Sequence, residues 1–366
     1  MSGNTDMPDF TEGLSDAIRG QSKKPKDVAT GTTNGAANGT AKAHKPVMLF
    51  TNPRTASNLL QKLLSKQDAF EHSGYIFFDA SFNMLFQLLN NGRAKDAAPE
   101  EWQKHMDAYQ ACFEKLIEAI EKHKQEGCAT FHKEHIDLMV DPINLFKAAY
   151  PDDEGPNLVV RYPGQETPSK STSPLCLPDD FLTSVLPVIL IRNPALMVPS
   201  FYRAQNDCKI SLDSAHFKCF MDLRWTWQLY DWYCSQGITP IVVDGDDVMK
   251  QPAVIRKLCE ICGMDPDEVG QVTCMKKTIL LTRPRQIMWE WEHEEAPENP
   301  LANRFKSTLI NSKGIVSGKD SANLNVEEEC KKWEAEFGQE VGGRMKAKVE
   351  MSMPYYEKLR ERRLQA

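Results

Sequence analysis

Apolar positions along this chain follow two rhythms. The unbroken runs VMLF at 47–50, CATF at 128–131, LVV at 158–160, LPVILI at 186–191 and the IVV of TPIVVDG have the length and β-branched content of buried strands. Between them the spacing lengthens. LLQKLLSK reads as a helix, and from Pro99 onward Trp102, Met106, Tyr109, Phe113, Leu116, Ile117 and Ile120 recur three and four apart, so one side packs inward while Lys and Glu cover the other. Pro99 suits a first helical position, Glu100 and Glu101 suit the first turn, and Gly127 stands just past the end. Strands alternating with helices predict an α/β fold, a single domain with a central, mostly parallel sheet of about five strands and helices on both faces. Two further helices, one from about Val326 and one carrying YYEKLRERR, are expected to brace it over 326–366.

Residues 1–44, including TGTTNGAANGTAK, contain almost no large apolar side chain and cannot offset their ordering entropy by burial, so they read as a disordered tail ahead of a domain spanning 45–366. Within that domain the Ser-, Thr- and Pro-rich stretch at about 164–180 reads as a surface insertion loop, either passive or a lid. With 41% hydrophobic and 26% charged residues over 366 positions, the whole chain is not disordered, collagen-like or coiled-coil. A net charge of -7 removes the basic footprint of a nucleic-acid binder and makes any phosphate site a local one. No stretch approaches the ~20 apolar residues of a bilayer span, and MSGNTDMPDF is no secretory leader, so a cytoplasmic protein is expected. The ten Cys lack the spacing of a disulfide scaffold. Cys259 and Cys262 form a CxxC, but they share helical spacing with Val254, Ile255 and Leu258, which predicts core packing.

Two loops carry candidate chemistry. TNPRTASNLL follows the first strand and enters a helix, where free backbone N–H groups and the donors of Arg54, Thr55, Ser57 and Asn58 would cradle an anion; an ordinary helix start is the alternative. Without glycines or a closing Lys it is not a Mg-ATP loop. In VILIRNPALMVPSFYR a buried strand ends at Ile191, so Arg192 emerges at the C-terminal edge of the sheet with Ser200 about two helical turns further on. Alone, Arg192 could equally serve a surface ion pair. A third segment, HKEHIDLMVDP, holds Lys133 and His135, which alternation on an extended chain points to one side, away from Glu134; a His132–His135 metal pair and a structural polar turn are the competing readings.

Taken together, NPRTASNL and RNPALMVPSFY resemble the sulfotransferase family, whose 5′-phosphosulfate loop reads like YPKSGTTW and whose 3′-phosphate element reads like RNPKDxxxSYY. The spacing from Arg192 to Ser200 equals the family's, and VVDGDDVMKQPAVIRKLCEICGM looks like its later strand, acidic turn, Pro and helix, so the resemblance covers about 47–263. It implies a P-loop NTPase-like fold and 3′-phosphoadenosine-5′-phosphosulfate as donor. His135 matches the catalytic base of the family's KTHLPLxLLP segment. SKGIVSGKD is a loose counterpart of the RKGxxGDWK-like loop, which would bring Lys313 and Gly314 to the 3′-phosphate. Arg54 stands where most members have Lys, Ala56 for Gly, Asn58 for Thr, Leu59 for Trp and Leu196 for Asp.

The resemblance implies sulfonate transfer to a hydroxyl of a small organic acceptor. His135 would act as general base, Lys133 and Arg54 would stabilise the transferring group, and Thr55, Ala56, Ser57, Asn58, Arg192, Ser200, Lys313 and Gly314 would hold the nucleotide, with no metal. The changes at Ala56, Asn58 and Leu59 leave room for an enzyme of the same fold that has abandoned the nucleotide for dehydration or cyclisation of a natural-product intermediate. A non-catalytic nucleotide-binding or scaffold protein is the third reading.

Overall fold

A computed structural model describes residues 44–83, 92–167, 169–205, 219–269, 311 and 320–366. Five strands, β1 (Val47–Thr51), β2 (Phe70–Gly74), β3 (Ala129–His135), β4 (Leu186–Ile191) and β5 (Ile241–Asp244), form one sheet in the order β2-β3-β1-β4-β5. Every pairing is parallel. The chain is therefore the α/β protein that its apolar runs predict, and all five strands end at one edge.

Alternation along the central strands divides the core into two layers. Val47 and Leu49 of β1, Phe131 of β3 and Val188 and Leu190 of β4 face α1 (Ser57–Leu63), α7 (Gly245–Lys250) and α8 (Pro252–Cys262). Met48, Phe50, Ile189 and Ile191 face the larger layer. That layer contains α2 (Pro99–Gln125), α3 (Pro142–Ala149), α5 (Pro194–Gln205), α6 (Leu223–Ser235), α9 (Val326–Phe337) and α10 (Gln339–Arg360). The short α4 (Asp179–Ser184) leads into β4, and its Phe181 and Leu182 join the same layer. Cys259 and Cys262 lie buried on the inner side of α8 as free thiols, which burial pushes up to about 12 in each case. Phe77, Phe78, Trp225 and Trp232 are likewise core residues.

Two strands differ from the apolar pattern. LVV is extended but outside the sheet: the Leu158 amide donates to Asp141 Oδ1 and the Val160 amide to the Cys176 carbonyl, so the run is pinned at these two points while Leu158 and Val160 fill the core. In its place the sheet takes FEHSG as β2. Only the two ends of this edge strand are fully buried, so it carries no apolar run to detect. Gly74 closes it because an added Cβ would stand 2.6 Å from the Lys133 carbonyl.

The stretch at 164–180 is anchored at its far end. Leu175, Cys176 and Leu177 are buried, Leu175 bridges to Val140, and Asp179 accepts from the Thr172 amide and hydroxyl. The first 43 residues, Lys313 and Gly314 lie outside the described residues.

α10 crosses the large layer and ties it to the strand ends. Its buried Tyr356 donates a 2.8 Å hydrogen bond to Asp244 Oδ2 at the end of β5. Burial pushes the Asp244 carboxyl up to about 6, opposed by hydrogen bonds from the Asp246 amide and from Tyr356. Tyr356→Phe leaves that oxygen buried without its donor and is expected to cost about 1–3 kcal/mol, read as a lower denaturant midpoint with unchanged slope.

Candidate active site

The site is built on the C-terminal ends of β1, β3 and β4. β1 pairs with β3 so that Leu49 stands beside Lys133 and Thr51 beside His135. Phe131, Lys133 and His135 therefore share the sheet face of Val47, Leu49 and Thr51, while His132 and Glu134 point to the other. Where the strands run past the α1 layer, that face stops being apolar. Lys133 Nζ reaches Asn58 Oδ1 at 2.6 Å and lies 4.6 Å from the centre of the Tyr75 ring. His135 Nδ1 is 2.6 Å from Thr51 Oγ1, and its Nε2 is 3.3 Å from the Tyr75 hydroxyl. On the opposite side His132 bonds Ser73 at 2.8 Å and approaches Glu134. His132 and His135 thus do not form one ligand pair.

The turn from β1 into α1 is tightly wound. Thr55 is fully buried and its hydroxyl donates to the Asn52 carbonyl at 2.8 Å, which closes the loop on itself. Arg54 and Ala56 both take positive φ, 67° and 70°. For Ala56 this is the left-handed region where a Cβ costs roughly 1–2 kcal/mol. Its side chain cannot cap the helix it precedes, and α1 begins without a side-chain cap. The loop is also held from outside: a Cβ on Gly245 at the start of α7 would meet the Thr55 carbonyl at 2.7 Å.

The two basic loops meet because β1 and β4 are neighbours. Arg192, one residue past β4, donates from Nη1 to the Arg54 carbonyl at 3.0 Å, and Arg54 donates from Nε to Ser200 Oγ on α5 at 2.9 Å. At this strand edge Arg54 is thus joined to Arg192 and Ser200, Lys133 to Asn58, and His135 to Thr51 and Tyr75. Thr55 and Ala56 instead shape the loop that carries them.

Burial lowers the proton affinity of His135 well below that of a free imidazole, and the charges of Lys133 and Arg54 act in the same direction. The ring is neutral at pH 7. Burial raises the Tyr75 phenol, with a contribution from Glu134, so Tyr75 remains a hydrogen-bond donor. Behind the loop, Asn52 donates to both oxygens of Asp137 at 3.4 Å and accepts from Thr226 at 2.8 Å. The Asp137 carboxyl is pushed up to about 7, mainly by burial, with Asp222 adding to the rise and Lys348 opposing it.

Thr51, Tyr75 and Asn52 are the site residues that the linear pattern does not mark. Thr51 is only the last residue of an apolar run, and its role comes from the β1–β3 register. Tyr75 follows a strand with no apolar signature. A Tyr directly after an edge glycine was the one local cue available.

The strained and crowded positions generate opposite expectations. Ala56→Gly should raise stability by about 1 kcal/mol by relieving the left-handed Cβ. Gly245→Ala should lower it by about 1–3 kcal/mol because the Thr55 backbone must move. Thermal unfolding of the two variants beside the parent checks both signs.

No family model and no solved structure matches the chain. Among curated proteins it is 33% identical over 347 residues to the sulfotransferase ppzF of Metarhizium rileyi, covering 87% of this chain and 96% of that protein. The sulfotransferase ppzF of Metarhizium majus is also 33% identical, over 348 residues, with the same coverage. Likeness across nearly the whole of both chains joins a parallel sheet whose two basic loops meet at its C-terminal edge: the chain belongs to the sulfotransferase family.

Proposed function

We propose that the protein transfers a sulfonate from 3′-phosphoadenosine-5′-phosphosulfate to a hydroxyl of a small organic acceptor, with His135 as general base. The observation that carries this reading is an imidazole held by Thr51 and Tyr75 and lowered in proton affinity by burial and by the Lys133 and Arg54 charges, at the sheet edge where Arg192 also meets the Arg54 loop. A base that must take a hydroxyl proton near neutral pH has to be unprotonated. A multiply anionic donor needs concentrated positive charge, which this acidic chain supplies locally.

The donor set fits such a ligand. Arg54 and Lys133 stand nearest His135 and would hold the sulfonate and the 5′-phosphate. The backbone of Thr55, Ala56, Ser57 and Asn58 adds N–H donors. Arg192 and Ser200, already linked to Arg54, would hold the 3′-phosphate, with Lys313 and Gly314 as further candidates. The bound donor supplies an activated sulfur whose bond to the leaving phosphate breaks as the acceptor oxygen attacks. His135 receives the acceptor's proton on a ring nitrogen. Lys133 and Arg54 balance the negative charge that develops, and their fixed positions make this stabilisation effective without reorganisation.

Binding is tested with adenosine 3′,5′-bisphosphate. It should raise the melting temperature, since ligand at about 100 times its dissociation constant adds ~2.7 kcal/mol, and Arg192→Ala should abolish the shift without unfolding the free protein. No shift at millimolar nucleotide with a folded parent protein rules out this donor.

Catalysis is tested by mass analysis of acceptor products. The reading requires donor-dependent gain of one SO₃ and a loss of about 10²- to 10⁴-fold in turnover for His135→Ala. Product formed without donor, as an isomer or dehydrated compound, overturns it.

A further inference from the structure

A neutral histidine has one nitrogen that can accept a proton and one that cannot, so a general base is specified only when its tautomer is. The geometry around His135 decides this. Thr51 Oγ1 stands 2.6 Å from His135 Nδ1 and 3.2 Å from the Glu134 carbonyl oxygen. A carbonyl oxygen can only accept, so the single hydroxyl proton of Thr51 satisfies it. The hydroxyl oxygen is then a lone-pair partner for Nδ1, which must carry the ring proton. In the reverse arrangement Thr51 donates to Nδ1, and its approach to the Glu134 carbonyl becomes oxygen lone pair against oxygen lone pair.

Thr51 is held to this role by the backbone. It is the register partner of His135 on the adjacent parallel strand, it is fully buried, and its branched Cβ restricts rotation about χ1. Across the ring, Nε2 faces the Tyr75 hydroxyl at 3.3 Å, with the two rings edge to face at 4.9 Å. That bond is long for an O–H donor, so an acceptor hydroxyl can replace it.

We propose that Thr51 is a positioning residue of the transfer reaction: it fixes His135 in the Nδ1–H tautomer and leaves Nε2, on the Tyr75 side, as the atom that takes the acceptor's proton. The inference rests on His135 being the general base. In the step, the acceptor O–H bond breaks and an Nε2–H bond forms; the imidazolium keeps its Nδ1–H bond to Thr51, which takes up no proton itself. Lys133 and Arg54 make the imidazolium costly and favour its prompt deprotonation once the donor's leaving phosphate has departed.

Nitrogen-15 NMR of histidine-labelled protein, at a pH where the ring is neutral, reads the tautomer directly. His135→Gln assigns the signals by their loss. The wild-type spectrum should show a protonated Nδ1 and a bare Nε2. Thr51→Val, close in shape, should lose this pattern and lower kcat by about 10- to 100-fold, the size of effect known for residues that orient metal-bound histidines, with KM for the donor unchanged. Thr51→Ser should restore both spectrum and rate. An Nε2–H tautomer in the wild-type protein, an undiminished kcat in folded Thr51→Val, or a Thr51→Ser as slow as the valine variant overturns the inference. Full activity in His135→Gln instead rejects the general-base reading, while the wild-type spectrum still decides the tautomer.

Discussion

The placement of β1 between β3 and β4 is the constraint on which the rest of the site depends. Parallel pairing on its two sides makes the C-terminal ends of three strands coincide, and it fixes which residues are neighbours to within a single position. On one side the register sets Thr51 against His135 and Leu49 against Lys133. On the other it brings the loop after β1 against the residue that follows β4, so that Arg192 reaches the Arg54 carbonyl. A one-residue slip of β3 would turn Lys133 and His135 to the α2 face and put His132 and Glu134 in their place.

The loop carried by β1 is formed at the expense of local comfort. Two non-glycine departures into positive φ, at Arg54 and Ala56 on either side of Thr55, persist because the surroundings over-determine them. The Thr55 hydroxyl closes the turn from within, and the missing side chain of Gly245 lets α7 approach the Thr55 carbonyl from outside. Ala56 thus keeps the backbone conformation that a glycine would adopt more easily.

Charge is distributed by the same logic. The chain as a whole is acidic, yet Arg54, Lys133 and Arg192 lie at one sheet edge, and burial together with the charges of Lys133 and Arg54 lowers the proton affinity of His135. Arg192 lies near Asp244, Asp246 and Asp320, which oppose the effect of burial on its guanidinium. A second polar layer, Asn52 with Asp137, Thr226, Asp222 and Lys348, sits behind the loop and connects it to α6 and α10. The C-terminal helix that a sequence reader would treat as bracing therefore contributes to the support of the strand edge itself.

Much of this was legible in the linear chain because it depends on local period and on short motifs. Apolar runs defined β1, β4 and β5, three- and four-residue spacing defined α2, and the loops at Arg54 and Arg192 declared themselves by following buried strands. Alternation in HKEH already separated Lys133 and His135 from Glu134. Long-range pairing could not be read this way. β2 is an edge strand without an apolar signature, LVV has one but packs outside the sheet, and both outcomes depend on partners distant in sequence. The positive φ of Ala56, the crowding at Gly245 and the contacts of Thr51 and Tyr75 with His135 exist only once separate segments are packed together. The sequence determined which residues could do the chemistry; the tertiary register decided which nitrogen of His135 faces Thr51 and which faces Tyr75, because that choice is made by distances of a few ångströms between strands 84 residues apart at their point of contact.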